Sequence, residues 1–79
     1  MSSTQKKVLK IFTSVLTLQS DVDLSELVYN KFQGWDSIAH MTLIVALEEE
    51  FDCMLEMQDI LDMNSFDKSV LIMESYSSE

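Results

Sequence analysis

The chain has 79 residues, 14 of them acidic against five lysines and no arginine, for a formal net charge of −9. That length makes one small domain, residues 1–79, and so acidic a surface repels nucleic-acid phosphates. Cys53 is the only cysteine, so no internal disulfide staples the fold, and a lone thiol suits a reducing, cytoplasmic setting.

The first residues, Met1 to Lys7, run into an amphipathic stretch rather than a continuous apolar segment, which reads as no signal peptide. No apolar run approaches the roughly 20 residues of a membrane span, so no membrane insertion is expected. Proline is absent and Gly34 is the only glycine, a composition that favours helix throughout. Residues 4–18 place Val8, Leu9, Ile11, Phe12, Val15 and Leu16 at helical spacing with polar residues between them, and predict a first helix. Residues 19–35 lose that rhythm. Leu24, Leu27, Val28 and Phe32 recur there as anchors of a long connection containing one helical turn, and a loop of that length in so small a domain points to function.

Gly34-Trp35-Asp36-Ser37 ends the connection and opens a second helix over residues 37–51, with Asp36 as N-cap. A short third helix is predicted over 57–61. Asn64 and Ser65 then cap a last helix over 66–74 that buries Phe66, Val70, Leu71 and Met73. The expected fold class is all-α: a four-helix bundle with a long loop between helices one and two and a short third helix.

On a wheel of about 100° per residue the second helix carries two apolar arcs. Leu43, Ile44, Leu47 and Phe51 form one; Ile38, Met41 and Val45 form another, beside Thr42, Glu48 and Glu49. A bundle can bury both arcs. An exposed ridge edged by carboxylates would instead suit a basic, greasy-centred partner.

Ser37 likewise has two readings. A serine at a helix start is ordinarily a first-turn residue without chemistry. A catalytic serine needs a base and an oxyanion hole; His40, the only histidine, falls on the core-facing arc, and no glycine-rich elbow surrounds Ser37. What the position does offer is a hydroxyl at a helix N-terminus, where free amides and the dipole favour an attached phosphate. Glu48, Glu49, Glu50, Asp52 and Glu56 match no calcium-loop spacing, Cys53 and His40 lack partners for a zinc site, and no metal site is expected. Trp35 is expected to pack the end of the loop.

Gly34-Trp35-Asp36-Ser37-Ile38, followed by Leu43-Ile44-Val45-Ala46-Leu47-Glu48-Glu49-Glu50-Phe51, resembles the phosphopantetheine attachment region of acyl carrier proteins. That family opens its second helix on D-S-L/I and closes it on L-E-x-x-F. The resemblance implies a non-catalytic carrier whose Ser37, flanked by Asp36 and Ile38, receives 4′-phosphopantetheine from coenzyme A through a Mg²⁺-dependent phosphopantetheinyl transferase. The thiol of the arm would hold acyl groups as thioesters. Asp36, Ile38, Met41, Val45, Glu48 and Glu49 would form the recognition face, and Val28, Ile44, Leu47, Leu55, Ile60 and Met63 would line an acyl cavity. Implied partners are acyl-loading, ketosynthase or acyltransferase-type enzymes with basic patches, met by a monomer. Housekeeping fatty-acid carriers usually have acids where this chain has Ala39 and Thr42, and a leucine and a non-aromatic residue where it has Gln33 and Trp35. The W-D-S form with His40-Met41 looks more like specialised stand-alone carriers or the aminoacyl and peptidyl carriers of peptide synthetases. An unmodified helical adaptor is the rival from another class.

Lys6, Lys7 and Lys10 stand ahead of every acid, and from residue 11 onward only Lys31 and Lys68 oppose all 14. Self-repulsion should therefore loosen the fold at low ionic strength, with Mg²⁺ restoring it. Melting curves that rise with added salt or Mg²⁺ would bear this out; superimposable curves would reject it.

Overall fold

The computed structural model describes residues 2–77. Helix α1 (Ser3–Leu16) begins where the Ser2 hydroxyl accepts the Gln5 N–H at 3.0 Å, so the side chain satisfies one of the amides a helix start leaves free. Val8, Ile11 and Phe12 form its buried stripe. It stops two residues short of the expected end because Thr17 turns left-handed, at φ 54°.

The connection that follows is long but stitched down. A 3-10 turn at Leu24–Glu26 is capped by Asp23, whose carboxylate accepts both the Oγ–H and the N–H of Ser25. Those two bonds hold the Asp23 carboxyl below its usual range. Their support is therefore present at neutral pH and is lost as pH falls through that lowered value. Beyond the turn Leu27 is fully buried, and its carbonyl accepts the Phe66 N–H at 3.0 Å while Tyr29 N–H donates to the Asn64 carbonyl at 2.9 Å. This antiparallel bridge, Val28 to Ser65, ties the loop to the start of the last helix.

Helix α2 runs Ser37–Phe51, the span the sequence predicts, and packs Leu43, Ile44 and Leu47 inward. The packing of α1 against α2 and α4 (Phe66–Tyr76) dominates the helix contacts. At the far end of α2, Lys10 pairs with Glu50 at 3.6 Å and the Lys7 ammonium lies 5.5 Å from the centroid of the Phe51 ring. The ion pair is exposed and adds little stability, but both cations stand near the negative end of the α2 dipole.

Phe12 is the hub of the core. Its ring meets Trp35 edge-on at 5.1 Å and Phe66 edge-on at 5.3 Å, which joins α1, the loop end and α4 in one aromatic cluster. Around it lie Leu27, Leu43, Ile44, Leu47, Leu55, Met63, Ile72 and Met73. Trp35 packs the loop end as expected.

One core assignment needs correction. Leu71 is 63% exposed, and Ile72 takes its place inside. The buried face of α4 is Phe66, Ser69, Ile72 and Met73, a register that admits a serine because the Ser69 hydroxyl donates to the Ser65 carbonyl at 2.7 Å. Val70 is half-buried.

Helix α3 (Met57–Asp62) has no buried residue of its own. Leu55 and Met63 anchor its two flanks in the core, and hydrogen bonds do the rest. The Tyr76 hydroxyl accepts the Glu56 N–H at 3.1 Å and donates to the Asp59 carboxylate, which pushes the phenol above its usual range. That contact accounts for α4 continuing to Tyr76, two residues beyond the expected end.

Two substitutions test these joints. Tyr76→Phe removes both bonds while keeping the ring, and should lower the melting temperature by a few degrees, with amide exchange in α3 rising more than in α1. Gly34 sits at φ +98°, where a side chain is strained although open space surrounds its Cα. Gly34→Ala should cost about 1–2 kcal/mol in urea unfolding.

Candidate functional site

The turn that ends the connection is built from the backbone outward. Val28 O accepts from Lys31 N and Phe32 N, Phe32 O accepts from Trp35 N, and Trp35 O accepts from Asn30 N at 2.9 Å. Gly34 supplies the positive φ the reversal needs. Trp35 then drops into the core at 1% exposure, and the next residue emerges as a helix cap. The Asp36 carboxylate accepts the Ala39 N–H at 2.9 Å and the Asp36 carbonyl accepts the His40 N–H at 2.8 Å.

Ser37 is the first residue of α2 and is exposed. Among the described residues nothing bonds its hydroxyl, so it is not spent on capping. Asp36 satisfies the Ala39 amide, leaving those of Ser37 and Ile38 for an outside acceptor at the positive end of the helix. A phosphate linked to Ser37 Oγ fits this position: the oxygen is accessible, the cap does not compete for it, and the local field favours the anion.

A shallow open groove lined by Ser37, Ile38, Met41, Thr42, Val45, Ala46 and Glu49 runs along α2 from the serine. Ile38, Met41 and Val45 are 79%, 52% and 50% exposed, so the second apolar arc faces outward, while of the first Leu43, Ile44 and Leu47 are buried and Phe51 is half-buried. Glu49 is exposed beside it. Glu48 has a second duty, since its half-buried carboxylate accepts the Leu55 N–H at 2.9 Å and holds the segment leading to α3.

The residues expected to line a cavity are placed less uniformly. Ile44, Leu47, Leu55 and Met63 belong to one buried cluster and Ile60 packs against it, whereas Val28 is half-buried outside that cluster, at the bridge to Ser65. Three exposed apolar side chains escape the sequence reading: Met54, Met57 and Leu61. The i, i+4 spacing of Met57 and Leu61 was a signal for one shared helix face, though a short helix gives no indication that the face is outward.

His40 does lie toward the interior, half-buried between two partners. Its Nδ1 accepts from Trp35 Nε1 at 3.1 Å and its Nε2 donates to the Ile60 carbonyl at 2.9 Å, which fixes the tautomer with the proton on Nε2. The Cys53 thiol is pushed up, first by burial and then by the Glu48 and Asp52 carboxylates, so it stays protonated and weakly nucleophilic. No helix among the described residues is long and apolar enough to cross a membrane.

Comparison with known proteins agrees with this geometry. A family model described as a phosphopantetheine attachment site matches residues 6–68, a span that holds most of α1, the connection, α2, α3 and the start of α4. The acyl carrier protein of Buchnera aphidicola subsp. Schizaphis graminum (strain Sg) is 30% identical over 70 residues, covering 89% of this chain and 89% of that protein. No solved structure matches the chain significantly. The match across most of the chain, the all-helical architecture and a serine free at the head of α2 lead to one conclusion: this chain belongs to the phosphopantetheine-attachment family of acyl carrier proteins, whose cofactor is covalently bound 4′-phosphopantetheine.

Proposed function

We propose that Ser37 receives the 4′-phosphopantetheine arm and that the outward face of α2 presents it to partner enzymes. The observation that carries this reading is the unbonded, exposed Ser37 hydroxyl at the start of a helix whose cap is supplied by its neighbour. When bound, the arm supplies a terminal thiol that holds acyl groups as thioesters. The chain's own part is to offer Ser37 Oγ to phosphorus. Among the described residues the one histidine does not serve as a base for the proton Oγ must lose, since His40 uses both ring nitrogens on Trp35 and Ile60. The transferase must bring that base, and the protein acts as a carrier and substrate rather than an enzyme.

Ile38, Met41 and Val45, with Asp36, Glu48 and Glu49 around them, supply a greasy centre and an acidic rim for phosphopantetheinyl transferase and for acyl-loading, ketosynthase or acyltransferase-type enzymes with basic patches. Ile44, Leu47, Leu55, Ile60 and Met63 offer an apolar interior into which a short acyl chain can be accommodated by repacking, with Val28 at its edge. The pathway is fatty-acid, polyketide or related biosynthesis in the cytoplasm.

The test is intact mass after incubation with a broad-specificity transferase, coenzyme A and Mg²⁺. Wild type should gain one phosphopantetheinyl group and Ser37→Ala none. Met41→Ala and Glu49→Lys should slow the gain about tenfold with helicity unchanged. Folded wild type that gains no mass would reject the assignment and leave the adaptor reading in front.

A further inference from the structure

Two polar groups near the acceptor turn would be stranded without help. The first is the Trp35 indole N–H, carried into the core by a side chain that is 1% exposed, and such a donor is costly to leave unmet. The second is the Ile60 carbonyl, which belongs to the last turn of α3 and has no acceptor role within that helix. His40 answers both, accepting from the indole at 3.1 Å and donating to the carbonyl at 2.9 Å. Its ring is also wedged in place, stacked on Trp35 at 6.1 Å and tilted 5.1 Å from Tyr29, while its own N–H bonds the Asp36 carbonyl at 2.8 Å. The side chain thus links Trp35, two positions before Ser37, to the end of α3, while the Asp36 contact is a main-chain bond of the first turn of α2. Since α3 buries no residue of its own, this link is a principal route by which its position reaches the acceptor turn.

We propose that His40 is a positioning residue for the modification of Ser37, locking Trp35 to α3 so that the serine two positions on is presented in one geometry. The proposal rests on the assignment of Ser37 as the acceptor. His40 touches neither the arm nor the transferred phosphorus, and it lies off the groove that Ile38, Met41 and Val45 line. Its loss should therefore appear in the rate of transfer from the docked complex rather than in docking.

Three variants separate the two bonds. His40→Leu keeps the bulk and loses both; His40→Asn retains an acceptor near the Nδ1 position; His40→Gln retains a donor near the Nε2 position. Arm transfer to each is followed by intact mass under steady-state conditions. His40→Leu should lower kcat about tenfold with KM little changed, and Asn and Gln should each recover part of the loss. Trp35 is the only tryptophan, so its single indole N–H resonance reports the first bond directly. It should shift and exchange faster in His40→Leu and His40→Gln, and stay near its wild-type position in His40→Asn. Wild-type kcat in all three variants, or losses that merely track the unfolded fraction seen by circular dichroism, would overturn the proposal. So would an unmoved indole resonance in a folded His40→Leu. Wild type that takes no arm would instead sink the Ser37 assignment and this proposal together.

Discussion

Burial of Trp35 is the constraint on which the site depends. A residue two positions before the proposed attachment serine is drawn into the core, edge-on to Phe12, and this fixes where the long connection must end. The chain can then only surface again, and Asp36 and Ser37 are the residues that do so. Burying the indole creates the demand for an acceptor that His40 meets, and His40 in turn reaches Ile60. Packing comes first here, and the polar network is its consequence.

The fold is held in two different ways. Helices α1, α2 and α4 share an apolar core centred on Phe12, and losing such a ring to alanine costs about 3–5 kcal/mol, much of a small domain's total stability. Helix α3 is held at its flanks by Leu55 and Met63 and along its length by bonds from His40 and Tyr76, with Glu48 securing the strand of chain before it. Hydrogen bonds at such partly exposed positions can be exchanged for bonds to water. The natural place for the bundle to open is therefore between α3 and the rest, beside the same apolar interior that Ile60 helps to cover.

What the sequence made legible follows the range of the interactions concerned. Helix α2 was readable to the residue because its determinants are local: a capping aspartate, a regular inner arc and a break at Asp52, which adopts φ 51°. The outward arc of Ile38, Met41 and Val45 was visible on a wheel, but whether a neighbour covered it was not, because that depends on where α3 settles. Leu71 and Ile72 were confused for a related reason. Both are aliphatic and adjacent, and only the burial of Ser69, satisfied by Ser65, fixes which of them turns inward. The two bonds of His40 were beyond reach from the sequence, since one partner lies twenty residues away on a helix with no buried side chain to announce it.

Cys53 gives the carrier role a further consequence. Cargo held as a thioester next to a free thiolate is exposed to intramolecular acyl migration, and a carrier with its own reactive sulfur would drain itself. Cys53 lies at the opposite end of α2 from Ser37, about 20 Å along the helix, and burial with two neighbouring carboxylates keeps its sulfur protonated. Cys53 would therefore be a poor acyl acceptor, a weak internal rival to the thiol of an arm carried on Ser37.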